Sequence, residues 1–177
     1  VDIIRERKNK VNFSCGVSIN NLSLNENDIG DFKTCLKLSP PLRTDTDRNA
    51  LVQGLNDETI DVIVSDHKPE DEENKRLTFA QAETGASGIE TLLSLSLELY
   101  HNGSVELETI IKALTSKPAE ILKINKGNLS IGNDADFCIV DINKPWVVKK
   151  EKLISKSKNT PIEDKKLQGK VISTFVN

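Results

Sequence analysis

Apolar positions along the chain change their spacing once, near residue 124. Before that point, short β-branched runs alternate with segments of helical period. Ile60–Val64 (IDVIV) is nearly continuous apolar and reads as a buried parallel strand, and Val11–Ile19 (VNFSCGVSI) reads as a second β-type segment. Between them lies a polar stretch, Asn20–Asp31, with turn chemistry at Asn25–Asp28 and Gly30. Lys37–Arg43 (KLSPPLR) is predicted as an irregular loop, because neighbouring prolines remove donors and restrict φ. Thr44 or Asp45 then caps a helix running to about Leu55. Further helices are predicted over Ile89–Tyr100, Val105–Leu114 and Lys117–Leu122, the last entered through Ser116 as N-cap. From Lys126 onward, turns at Gly127-Asn128 and Gly132-Asn133 separate strands over Ala135–Ile142, Trp146–Val148 and Lys170–Val176. The pattern predicts an α/β unit over 1–124, with a parallel sheet, and a small all-β segment over 125–177.

Val1–Lys10 reads as the end of a helix already in progress, since Ile3 and Ile4 are followed by Arg5, Arg7, Lys8 and Lys10 without an N-cap ahead of them. Val171–Val176 stops inside an apolar run. The expectation is a piece of a longer polypeptide. Aromatics are only 4% of residues, so aliphatic side chains must build the core. A net charge of -3 argues against a general nucleic-acid binder. The charge is uneven: Lys144–Lys170 holds nine lysines against Glu151, Glu163 and Asp164, which is +6. That stretch is either a solvated face or a site for an anionic partner. Cys15, Cys35 and Cys138 are scattered and odd in number, which favours reduced thiols in a cytoplasmic protein over a disulfide scaffold. No apolar run approaches the roughly 20 residues that span a membrane.

Candidate chemistry centres on Ser65-Asp66-His67, immediately after the predicted buried strand. Asp66 is either a site carboxylate or a cap for the next turn. His67 reads as a residue holding the loop rather than a metal ligand, since adjacent residues rarely point at one ion. His101, in Tyr100-His101-Asn102-Gly103, reads as a helix C-terminal cap. Arg43 is either an anion holder or half of a surface pair with Asp45 or Asp47. The polar stretch Lys68–Gly88 is too long for a passive connection and suggests a lid or a site-forming loop.

Six stretches in order resemble type I dihydroorotases of the amidohydrolase superfamily. KLSPPLR at 37–43 resembles K-x-N-P-P-L-R, SDHKPE at 65–70 resembles T-D-H-A-P-H, and GASGIETL at 85–92 resembles G-x-x-G-L-E-T-x. TSKPAEIL at 115–122 resembles T-x-N-P-A-x-x-L, GNLSIGNDADFCIVD at 127–141 resembles G-x-L-x-x-G-x-x-A-D-x-x-x-x-D, and Asn159-Thr160-Pro161 with Gly169-Lys170-Val171 resembles the closing N-T-P … G-x-V. Val17–Gly30 (VSINNLSLNENDIG) is similar to a divergent alphaproteobacterial subgroup.

The resemblance implies the C-terminal part of a (β/α)₈ amidohydrolase barrel, strands seven and eight with their helices over 1–124, plus a small β-sandwich segment over 125–177. A barrel needs about 250 residues, so this segment supplies only its last part. The implied reaction is reversible cyclisation of N-carbamoyl-L-aspartate to L-dihydroorotate in pyrimidine biosynthesis. Asp66 is implied as metal ligand and general base, zinc as the usual metal, and Ser39, Arg43, Glu70 and Gly85 as substrate-binding positions. The other metal ligands of the family fall upstream of Val1. A homo-oligomer with a small-molecule substrate is expected.

Three positions depart from the family pattern. Ser39 replaces an Asn that bonds the substrate ring, Glu70 replaces a His that contacts the substrate carboxylate, and Asn20-Asn21 replace a His-His pair. A negative Glu70 would repel that carboxylate. Two readings follow: a dihydroorotase, or a catalytically silent dihydroorotase-like subunit that scaffolds aspartate transcarbamoylase.

Overall fold

The computed structural model describes residues 1–8 and 10–176. Helix α1 (Asp2–Lys8) carries Arg5, Arg7 and Lys8 in its last turn, as predicted; Asn9, within the predicted 1–10 helix, lies outside the described residues. The Lys8 ammonium crosses to the Thr59 carbonyl (3.0 Å) and to Asp61 Oδ1 (2.7 Å), while Asp61 Oδ2 accepts the Cys15 N–H at 2.9 Å. These bonds tie α1 to the entrances of both strands that follow.

Strand β1 (Gly16–Ser18) is shorter than the predicted 11–19. Residues 11–15 are irregular, and the chain leaves the extended state because Ser18 turns into an N-cap, its Oγ accepting the Asn20 N–H at 3.3 Å. A short helix, α2 (Ile19–Ser23), therefore stands where only turns were expected, followed by a 3-10 turn at Glu26–Ile29. Helix α3 (Asp45–Asn56) begins as predicted: Thr44 caps it, and Asp47 completes a reciprocal capping box. Strand β2 (Val62–Val64) pairs with β1 in parallel, Gly16 opposite Val62 and Ser18 opposite Val64.

The predicted loop 68–88 contains one turn of helix, α4 (Glu72–Lys75). Helix α5 (Leu92–His101) starts three residues later than predicted. Its buried residues, Ser94, Leu95, Ser96, Leu97 and Leu99, run around the helix, as expected for one enclosed on several sides. The buried serines are satisfied: Ser96 Oγ donates to the Leu92 carbonyl (2.8 Å), and Ser94 Oγ donates to the Gly169 carbonyl (2.7 Å) while accepting the Trp146 indole N–H at 3.1 Å. Helices α6 (Leu107–Leu114) and α7 (Ser116–Leu122) follow. Ser116 is inside α7 rather than its cap; the cap position falls to Thr115, whose hydroxyl instead donates to the Ile111 carbonyl at 2.6 Å.

The last segment forms an antiparallel ribbon. The two strands predicted at 135–142 and 146–148 are one, β3 (Phe137–Val147), with an irregularity between Asp141 and Pro145 that absorbs the proline's missing donor. Its partner β4 (Lys166–Phe175) begins earlier than the predicted Lys170 because pairing with Trp146 and Val147 extends it. Helix α5 packs against β4, while α2 and α6 contact α5 from the other side.

Between β3 and β4 the chain makes an excursion, 148–165, that reaches back to the ends of the 68–88 loop. The buried Asn159 is its hub. Its Nδ2 donates to the carbonyls of Lys68 (3.3 Å) and Gly85 (3.2 Å), and its Oδ1 accepts from Ser87 Oγ (2.7 Å) and from Ser157 Oγ. The Ser87 N–H meets the Asn159 carbonyl at 3.2 Å. Asn159→Asp keeps the shape but replaces two donors with an oxygen facing two carbonyls. The expected cost is about 2 kcal/mol, near that of a buried donor lost from its partners. Urea unfolding of the full-length protein checks it; a change below about 0.5 kcal/mol, the size of an ordinary surface substitution, would show that the hub does not hold the loop.

Candidate active site

Because β1 and β2 are parallel, the residues that follow Ser18 and Val64 emerge at the same end of the sheet. Asn20 and Asp66 each stand two positions beyond this matched pair. Asp66 has φ of 48°, a left-handed conformation that aspartate tolerates better than most side chains. Its side chain is half-buried, and among the described residues no hydrogen bond or ion pair engages its carboxylate. An unengaged carboxylate at the C-terminal end of a parallel strand can accept a proton or a cation.

Loop contacts draw the other predicted segments around this end. The Asn21 carboxamide donates to the Pro41 carbonyl (3.1 Å), joining α2 to the proline loop. The Lys37 ammonium donates to the carbonyls of Ala80 (2.8 Å) and Ala82 (2.6 Å), and the Lys37 carbonyl accepts the Gly85 N–H at 2.9 Å. Lys75, which is buried where Lys37 is only partly so, donates to the carbonyls of Thr34 (3.1 Å) and Glu83 (2.6 Å). Burial pushes the Lys75 ammonium below its ordinary pKa and pushes the Cys35 thiol above its own. Both lysines act as staples between 34–37 and 75–85.

Ser39 and Arg43 lie on the exposed rim of the proline loop. Arg43 is 70% exposed and makes one long contact, 3.8 Å, to Asp47, whose carboxylate is already shared with the Thr44 cap. Glu70 is largely enclosed, with 15% of its side chain exposed; it pairs with Lys68 at 3.2 Å and faces a cavity of about 460 Å³ shared with Cys35, Lys75, Ser157 and Lys158. Gly85, at φ 136°, has its N–H on Lys37 and its carbonyl on Asn159. A Cβ there would come within 2.8 Å of the Lys68 carbonyl, and at Gly88 within 2.5 Å of the Ser65 carbonyl. Only glycine allows the 85–88 segment to lie against 65–68.

Asn20 is fully buried, and neither atom of its carboxamide has a hydrogen-bond partner among the described residues. His67 turns its Nδ1 to the backbone N–H groups of Gly88 (3.2 Å) and Ile89 (3.4 Å). His101 is the last residue of α5 but caps nothing in its own helix; its Nε2 lies 3.0 Å from the Ile142 carbonyl on the ribbon. Among the described residues no three His, Cys, Asp or Glu side chains converge as a metal site, so zinc does not fit on this chain's residues alone. Asn159, Lys37 and Lys75 were not among the predicted site residues. The N-T-P stretch at 159–161 was a visible signal for the first, and the leading Lys of KLSPPLR for Lys37; Lys75 carried none. Among the described residues no helix is long and apolar enough to cross a membrane, and all three cysteines are free.

Comparison with known proteins agrees with this geometry. The family model described as "Amidohydrolase family" matches residues 1–177. The chain is 41% identical over 178 residues to a dihydroorotase of Ehrlichia canis (strain Jake), covering all of this chain and 40% of the relative. It is 38% identical over 179 residues to a dihydroorotase of Acetivibrio thermocellus, covering all of this chain and 42% of that protein. The chain thus spans about 40% of the length of such relatives. Among solved structures, the L-hydantoinase (dihydropyrimidinase) of Arthrobacter aurescens superposes with a TM-score of 0.92 at 27% identity, over 98% of this chain and 40% of that one. The dihydropyrimidinase of Brevibacillus agri NCHU1002 superposes with a TM-score of 0.88 at 24% identity, over 98% of this chain and 40% of that one. The fold is the C-terminal part of an amidohydrolase barrel with its β-ribbon, and the chain belongs to the amidohydrolase family.

Proposed function

We propose that this chain supplies the eighth-strand carboxylate and the substrate-side loops of a dihydroorotase, which interconverts N-carbamoyl-L-aspartate and L-dihydroorotate. The observation that carries the reading is Asp66: a free carboxylate at the strand end, in a chain similar over its whole length to dihydroorotases. In the ring-opening direction, water adds to the ring amide carbon and Asp66 takes its proton. That proton passes to the ring nitrogen as the C–N bond breaks. Ring closure is the reverse, with Asp66 receiving the proton from the carbamoyl nitrogen and releasing it to the departing water. Arg43, with only its long contact to Asp47, is free to face a substrate carboxylate. A metal in the full-length protein would take Asp66 together with donors from outside residues 1–177.

One observation favours the second reading, a silent subunit that scaffolds aspartate transcarbamoylase. Asn20, Asn21 and Ser23 leave four buried polar atoms without hydrogen-bond partners among the described residues, at a mouth position where the family carries histidines.

Carbamoyl-aspartate cyclisation by the full-length protein separates the two. Asp66→Asn is expected to lower kcat by about 10³-fold, within the range for a lost general base, with an unchanged circular dichroism spectrum. Turnover close to that of the parent would remove Asp66 from the chemistry. Arg43→Ala is expected to raise KM about tenfold with kcat little changed, the pattern of lost uniform binding. An unaltered KM would leave Arg43 as the partner of Asp47 alone. A parent protein without turnover that co-elutes with aspartate transcarbamoylase would support the scaffold.

A further inference from the structure

Among the described residues Asp66 has no side-chain bond of its own to aim it, so its direction depends on its neighbours. Ser65 on one side lies so close to Gly88 that a Cβ there would meet its carbonyl at 2.5 Å. His67 on the other side forms a parallel bridge with Ala86, and the Lys68 N–H continues it to the Ala86 carbonyl at 2.9 Å. The His67 ring then closes the arrangement, its Nδ1 facing the N–H groups of Gly88 (3.2 Å) and Ile89 (3.4 Å). A backbone N–H can only donate, so Nδ1 must hold a lone pair and the ring proton must sit on Nε2. Among the described residues neither N–H has another acceptor.

We propose that His67 is the positioning residue of the site: as the Nε2–H tautomer it gathers two backbone N–H groups at Nδ1, locks 65–67 against 85–89, and so sets the direction of the Asp66 carboxylate. The clamp stands on geometry alone; its effect on turnover rests on the reading of Asp66 as the site carboxylate. What matters is an acceptor at the Nδ1 position. Asparagine can put Oδ1 near that point, whereas the amide of glutamine reaches toward the Nε2 position and leucine offers no acceptor.

The test uses the full-length protein and three variants, His67→Asn, His67→Gln and His67→Leu. Amide hydrogen exchange at Gly88 and Ile89 reads the clamp without reference to activity. Protection is expected in the parent and in His67→Asn, and loss of it in the other two. Ring ¹⁵N shifts of the parent should show Nδ1 unprotonated and Nε2 protonated. In the cyclisation assay, His67→Gln and His67→Leu should lose about 10²-fold in kcat, the scale of a misplaced reacting group, with KM little changed, while His67→Asn recovers most of it. A glutamine variant as protected as the asparagine one, or a parent ring protonated at Nδ1, overturns the proposal. A parent with the clamp intact but no turnover supports the clamp and sinks the dihydroorotase reading, so the two failures are distinguishable.

Discussion

Two parallel strands of three residues each bring Ser18 and Val64 to one end of the sheet, and the surroundings of Asp66 depend on that register. A one-residue slip would send the chain after one strand to the opposite face. Such a short pairing has few ladder bonds to defend it, and parallel pairing requires a long crossover. Here the crossover runs from Ile19 to Asp61 and carries α2, the proline loop and α3. The register is reinforced outside the sheet. Lys8 and Asp61 hold the strand entrances, and the Asn21 bond to Pro41 and the Lys37 bonds to 80–85 hold the exits.

These reinforcements are not equal. The exposed pairs, Arg76 with Glu72 or Lys112 with Glu108, lie in water and contribute little to stability. Those at Asn159, Lys37 and Lys75 are made to backbone carbonyls in enclosed places, where losing a donor leaves a carbonyl without a partner. The lysine-rich excursion 148–165 divides along the same line. Lys149 meets Asp164 and Lys165 meets Glu98 near the surface, while Lys158 folds back on the carbonyls of Leu153 and Ser155 and sets the turn that presents Asn159. Of the six lysines in 148–165, Lys149, Lys150 and Lys165 meet carboxylates, so half of the stretch's positive charge is paired within the fold.

Elements whose signals are local were legible in the sequence. Helix α3 has its cap and capping box in Thr44 and Asp47, and the β-branched run at 60–64 does hold a parallel strand, although it is shorter than the run and only Ile63 of its three residues is buried. Where a side chain competed with its backbone, the reading failed. Ser18 ended β1 and opened α2, and Thr115 took the position assigned to Ser116. The ribbon was read as three strands, with 143–145 left outside them; pairing of Pro145 with Gln168 across an irregularity makes the first two one. Asp66 was visible because it follows a strand directly. Asn159 reaches Lys68, 91 positions away, and Lys75 reaches Thr34, 41 positions away, and no local pattern encodes such contacts.

The departures from the family pattern weigh differently once their surroundings are known. Glu70 was the strongest of them, since a free carboxylate facing a substrate carboxylate would weaken binding. Its charge is not free: Lys68 lies 3.2 Å away, and the cavity it faces mixes lysines (Lys75, Lys150, Lys156, Lys158) with carboxylates (Asp71, Glu72, Glu151, Glu163). A carboxylate paired with a lysine exerts less repulsion than an isolated one. Ser39, on the exposed rim, imposes no buried cost. That leaves Asn20 and its neighbours as the departure with a physical penalty, because buried polar atoms without partners cost stability in any reading of function. Two close glycine contacts and a hub that satisfies both ends of one carboxamide hold 65–68 against 85–88 on either side of Asp66, and they do so in either reading of function.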